Sequence, residues 1–155
     1  MSVDFTGFNK KINALRRMAN SALPSFIEDA GVFLLVKLVD EIINGTPGEA
    51  YPKNYPSGVS SGAAGFVGVV SGNLRRSIQL EPDGPLAVEI KQTLKDLAPY
   101  HDFVINFSKE RYGKNFYEIT VEIYGPVVAQ KLVQVASRLS SQIDSRGEFV
   151  YRNPF

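Results

Sequence analysis

The chain contains no cysteine and a single histidine in 155 residues. Without cysteine, a disulfide scaffold, a thiolate zinc site and a cysteine nucleophile are all excluded. An excess of either charge is also lacking. The 17 Lys and Arg residues nearly cancel the 16 Asp and Glu residues, leaving +1. This argues against a domain held to nucleic acid by bulk phosphate attraction and leaves a local basic patch open. No long apolar run is present. The densest, Gly31 to Val36, is followed by Lys37, Asp40 and Glu41, and a bilayer span needs roughly 20 mostly apolar residues. Met1 to Asn20 show no signal-like apolar core or cleavage site, so a soluble, intracellular protein is expected.

Catalytic patterns are equally scarce. His101 adjoins Asp102 after Ala98-Pro99-Tyr100. On a strand, neighbours point to opposite faces, which suits a structural histidine better than a base with its orienting acid. Glycines 62, 65 and 68 lack the Lys-Ser/Thr of a phosphate loop and the strand that would feed a dinucleotide fold. The pairs Glu28–Asp29 and Asp40–Glu41 read as interfacial or solvated charges. No catalytic, cofactor or metal residue is therefore expected, and the chain reads as a non-enzyme.

What is present is a globular composition, 44% hydrophobic, in a length typical of one domain. Phe8, Ile12, Leu15 and Ala19 fall at helical spacing in a first amphipathic helix, with Lys10, Lys11, Arg16 and Arg17 mostly elsewhere on it. Those cations suit a solvated face, an acidic partner surface or DNA. A second helix is expected from about Pro24 to Ile43, stopped by Asn44–Gly45. It is apolar nearly all round, which suits one face to the core and another to a neighbouring subunit. A Gly/Pro-rich loop at about 46–72 carries Tyr51, Tyr55 and Phe66. Such a loop is either a surface insertion or an arm that orders on a partner.

Beyond it, Leu86–Leu94, Asp102–Phe107 and Phe116–Tyr124 alternate in the manner of strands, the last two joined by a hairpin turn at Tyr112–Asn115. Gly125–Pro126 opens a third helix, with Val128, Leu132, Val135, Leu139 and Ile143 on its apolar face. The tail, Glu148 to Phe155, reads as a final edge strand. The expected fold class is α+β: one domain over 1–155, with N-terminal helices and one long C-terminal helix packed on a small antiparallel sheet.

One segment carries a specific pattern. In Ser71-Gly72-Asn73-Leu74-Arg75-Arg76-Ser77-Ile78 the glycine can turn the chain sharply, and Ser71 can cap the short piece after it. Leu74 and Ile78, four apart, can anchor in the core while Arg75 and Arg76 project. Paired arginines suit carboxylates of a neighbour, phosphates of DNA, or plain solvent. This run resembles the Thr/Ser-Gly-Asn/Arg-Leu-Arg-Arg-Ser-Ile motif of the tail-completion proteins of tailed phages, also called head–tail connector or minor tail components. In that family the motif directly follows Thr-Pro-Val-Asp; here Thr46–Pro47 is separated from it by the glycine-rich loop. Arg152-Asn153-Pro154-Phe155 is similar to the family's late Pro-Phe, whereas its Tyr-Ala and Glu-x-Gly-Thr stretches have no good counterpart.

The resemblance implies a structural virion protein assembled in the host cytoplasm. It would form a ring, six-fold by analogy, at the neck that joins the DNA-filled head to the tail. Its partners would be further copies of itself, portal-side adaptor proteins, and tail terminator, tube or sheath proteins, with passive DNA contact in the channel and no membrane. Gly72, Asn73, Arg75, Arg76, Tyr51, Tyr55 and Phe66 would be the interaction residues. A tail terminator ring, and a nucleic-acid- or ligand-binding module using the glycine loop and Arg75–Arg76, remain alternative readings.

Overall fold

The computed structural model describes residues 6–43, 72–143 and 149–155. The first element, α1 (Thr6–Lys37), runs on into a π-helical turn, Leu38–Ile43. The two separate N-terminal helices expected from sequence are thus one continuous rod, with Pro24 inside it. Proline withholds the N–H that would bond the carbonyl four residues back, which is why it reads as a boundary. Here Ala22, Phe26 and Ala30 are buried on either side of it, so tertiary packing carries the helix through. The wider π turn brings Leu38, Ile42 and Ile43 together into the core.

Gly72 then leads into a single helical turn, α2 (Asn73–Ser77), and β1 (Ile78–Pro82) pairs antiparallel with β2 (Val88–Gln92). Ile78 faces Gln92 and Leu80 faces Ile90 in this register. The Asp83 N–H donates to the Ala87 carbonyl at 2.9 Å to close the connection, and Gly84 supplies its positive φ of 101°. The expected strand at Leu86–Leu94 is therefore real but shorter.

The other two expected strands are helices: α3 (His101–Tyr112) and α4 (Phe116–Ile143). In α4 the buried positions Phe116, Ile119, Thr120 and Tyr124 fall at helical spacing, while Val121 lies 59% exposed. The alternation of Tyr117, Ile119, Val121 and Ile123 is an accident of a β-branched-rich helix, since strand propensity yields to packing. In α3, likewise, His101 and Ser108 are buried while Phe103 is 71% exposed. The expected hairpin turn at Tyr112–Asn115 instead joins two helices. Gly113 ends α3 at φ 74°. Asn115 and Glu118 form a reciprocal capping box: the Glu118 N–H donates to Asn115 Oδ1 at 2.9 Å, and the Asn115 N–H to Glu118 Oε2 at 2.8 Å. Pro126 lies inside α4 rather than opening it. Residues 149–155 form neither helix nor strand, so the edge strand expected for the tail is not present there.

The result is an α+β fold: long helices with a two-stranded antiparallel sheet. α1 and α4 run antiparallel, since Phe33 meets Tyr124 while Phe26 shares a cluster with Val135. The main core gathers the π turn (Ile42, Ile43), Leu74, Ile78, Phe116 and Ile119. The sheet seats directly on α1 at Gly31. A Cβ there would lie 2.7 Å from Val88 Cγ2 and 2.8 Å from Leu80 Cδ1. Gly31→Val is expected to lift the sheet off the helix and cost about 1–3 kcal/mol, read from urea or thermal unfolding; an unchanged midpoint would contradict this seating.

Candidate interaction surface

The Gly72–Ile78 segment folds as its residues dictate. Gly72 adopts φ 72°, ψ 2° at the N-cap of α2, a left-handed conformation that residues with a side chain rarely take. No side chain caps α2; Ser71 lies outside the described residues. The Arg76 N–H closes the turn onto the Gly72 carbonyl at 3.2 Å. Leu74 and Ile78 are buried in the main core, as their spacing suggests. Ser77 is fully buried and donates its hydroxyl to the Leu74 carbonyl at 2.7 Å. Its own carbonyl accepts from the Thr93 N–H at 2.8 Å, tying α2 to the end of β2. Arg75 and Arg76 are exposed, and Arg76 Nη2 donates to Asn73 Oδ1 at 2.7 Å. Asn73 thus helps orient an arginine instead of facing a partner alone. The structure brings Gly72, Asn73, Arg75 and Arg76 together on one turn. Tyr51, Tyr55, Phe66 and the loop at about 46–72 lie outside the described residues, apart from Gly72 itself.

A second polar constellation links α1 to α4. Glu41 accepts from the Tyr124 hydroxyl and from Lys37 Nζ, and the Lys37 ammonium also lies 5.3 Å from the Tyr124 ring centroid and 5.8 Å from that of Phe33. Burial acts to raise the Glu41 carboxyl, but the hydrogen bonds from Lys37 and Tyr124 and the Lys37 charge outweigh it and hold the group below its ordinary value. From sequence, Asp40–Glu41 reads as interfacial or solvated. Asp40 is exposed, whereas Glu41 is an internal bridge that only the fold reveals.

His101 is buried at the start of α3. Its Nε2 lies 2.9 Å from the Tyr117 hydroxyl and its Nδ1 3.1 Å from Asp102 Oδ1. Because the pair stands on a helix instead of the expected strand, the two adjacent side chains do reach each other. Burial first, and the Asp102 charge second, push the Tyr117 hydroxyl well above its ordinary value. The ring also packs edge-on to Phe116 at 5.9 Å. The histidine pins α3 to α4.

The outer faces carry apolar side chains. Val32 and Val36, one turn apart on α1, are each 47% exposed, and Val133 on α4 is 65% exposed. Among the described residues, no group of three or more His, Cys, Asp or Glu could hold a metal ion. Among the same residues, no helix is long and apolar enough to cross a membrane. No family model, curated protein or solved structure matches the chain.

Two outcomes are expected. Gly72→Val should lower stability by about 1–3 kcal/mol, whereas Arg75→Ala with Arg76→Ala should stay within about 0.5 kcal/mol per site; equal or reversed losses in thermal melts would contradict the left-handed turn. Because the folded Glu41 carboxyl sits below its ordinary 4.5, its contribution is present above that pH and is lost as pH falls through the lowered folded value. The Glu41→Gln variant should therefore show a flatter loss of stability on acidification than the parent chain. Parallel curves in urea titrations on either side of that value would refute the bridge.

Proposed function

We propose that this chain is a structural component of a tailed-phage neck, a subunit of a ring that joins the head, through its portal-side adaptor, to the tail. The observation that carries the reading is the Gly72–Ile78 turn. Its glycine is left-handed, Leu74 and Ile78 are locked in the core, and Arg75 and Arg76 point outward. An exposed pair of arginines on a turn whose backbone is anchored by Leu74 and Ile78 is suited to carboxylates on an adjoining protein.

The exposed valines add to this reading. Scattered apolar residues are normal on a surface, but Val32 and Val36 form a short stripe on a helix already packed on its opposite side. Repeated by symmetry, such a stripe meets a different face of the next copy and closes a ring. The protein then acts by surface complementarity, with binding energy distributed over many identical contacts.

The expected behaviour is weak self-association that grows with concentration. Val32→Glu with Val36→Glu should abolish it while leaving the melting temperature nearly unchanged, since both positions are half exposed. Light scattering on the parent and variant proteins checks this; equal association by both would remove the valine stripe from the interface.

A further inference from the structure

Residues 149–155 lie beyond α4 in the chain and pack back along α1, although they form no regular element. Three side chains make the contact. The Tyr151 hydroxyl donates to Asp29 Oδ2 at 2.6 Å. The Phe155 ring stacks on Phe33 at 4.8 Å with a 22° tilt and meets Phe26 at 5.7 Å. Phe149 packs with Tyr151 against Phe26, Ala30 and Val135. On α1 the receiving residues Phe26, Asp29 and Phe33 are three and four apart, so they form one continuous face. The segment presents aromatics to that face and turns Val150, Arg152 and Asn153 outward.

This face has to be covered. Phe26 and Ala30 are buried, with Val135, in a small cluster completed by Phe149 and Tyr151. Removing the segment would bare the aromatic side of the cluster and leave the half-buried Asp29 without its tyrosine. The occupant is equally well defined: a tyrosine with a phenylalanine four residues later, spaced to bond a carboxylate and stack on a ring.

We propose that residues 149–155 are an exchangeable strap, and that the Phe26–Asp29–Phe33 face of one copy takes the same segment of a second copy. Exchange replaces each contact by an identical one, so the only difference in free energy lies in how the strap is connected and in what the approaching copy covers. A single chain leaves apolar residues flanking the contact. Val150, next to Tyr151, is 70% exposed, and Val32, next to Phe33, is 47% exposed. A second copy delivering its strap would cover such groups, which tips the balance toward exchange when copies are crowded together. Val32 also belongs to the stripe of the proposed ring contact, but the contact between the strap and its face involves neither Val32 nor Val36, so the 28–150 cross-link reads the strap separately from the neck reading.

The absence of cysteine makes the test clean. Glu28 and Val150 are both exposed and adjoin Asp29 and Tyr151, so cysteines there sit on either side of the contact without entering it. Full-length chains carrying only Glu28→Cys, isotopically heavy, are mixed with chains carrying only Val150→Cys and treated with a short bis-maleimide. A chain carrying both substitutions is treated at high dilution. Exchange predicts closure within the doubly substituted chain, and, in the mixture, 28–150 heterodimers that rise with concentration and exceed 28–28 and 150–150 dimers several-fold. Closure of the double variant with no excess of 28–150 dimers at any concentration would confine the strap to its own chain and overturn the proposal. Failure of the double variant to close would overturn it as well, because the contact itself would then be wrong.

Discussion

The Glu41 carboxylate joins the two long helices at the point where the main core begins. It sits in the π-helical turn, which swings Leu38, Ile42 and Ile43 into the core and leaves the carboxylate facing α4. Tyr124 and Lys37 supply the donors that a half-buried carboxylate needs. With α1 held against α4, Gly31 lies where the sheet can seat with no Cβ in the way. Phe26, Ala30 and Val135 then come together to receive residues 149–155. A second tyrosine–carboxylate pair, Tyr151 with Asp29, repeats the same chemistry further along α1. Both pairs stand on one helical rod and fix elements distant in sequence to it.

How much of this is legible in the sequence depends on whether the deciding signal is local. The positive φ of Gly72 is readable because a glycine ahead of a short apolar-anchored turn has a specific conformational use. Val88–Gln92 is readable because its inward residues alternate on a half-buried sheet. The start of α4 misleads because Tyr117, Ile119, Val121 and Ile123 alternate as a strand would. Asn115 and Glu118, three apart, are the local signal that could settle it, since they form the capping box. Pro24 and Pro126 look like helix openings, but packing between α1 and α4 overrides the local cost. The Glu41–Tyr124 contact spans 83 residues and the Tyr151–Asp29 contact 122, so no short-range pattern points to either.

On the proposed reading, the architecture bears on assembly through the anchored α2 turn and the 149–155 segment. Arg75 and Arg76 stand on a turn anchored by Leu74, Ser77 and Ile78, so their backbone positions are set before any partner arrives. Preorganised charge loses less freedom on docking than flexible charge. The 149–155 segment is held by side chains of α1 and by Val135 of α4, with no backbone pairing among the described residues, a mode of attachment that suits exchange between copies. Under the two proposals, the arginines and the strap would serve different ends of an assembly: one would recognise a neighbour, the other would link like to like.

The ring is the central claim, and it is most directly tested by native mass spectrometry and negative-stain imaging of the purified protein, alone and mixed with portal-side neck proteins. A folded chain that associates weakly alone and forms a closed, rotationally symmetric ring in the mixture is the predicted result. A strict monomer in both samples would contradict it.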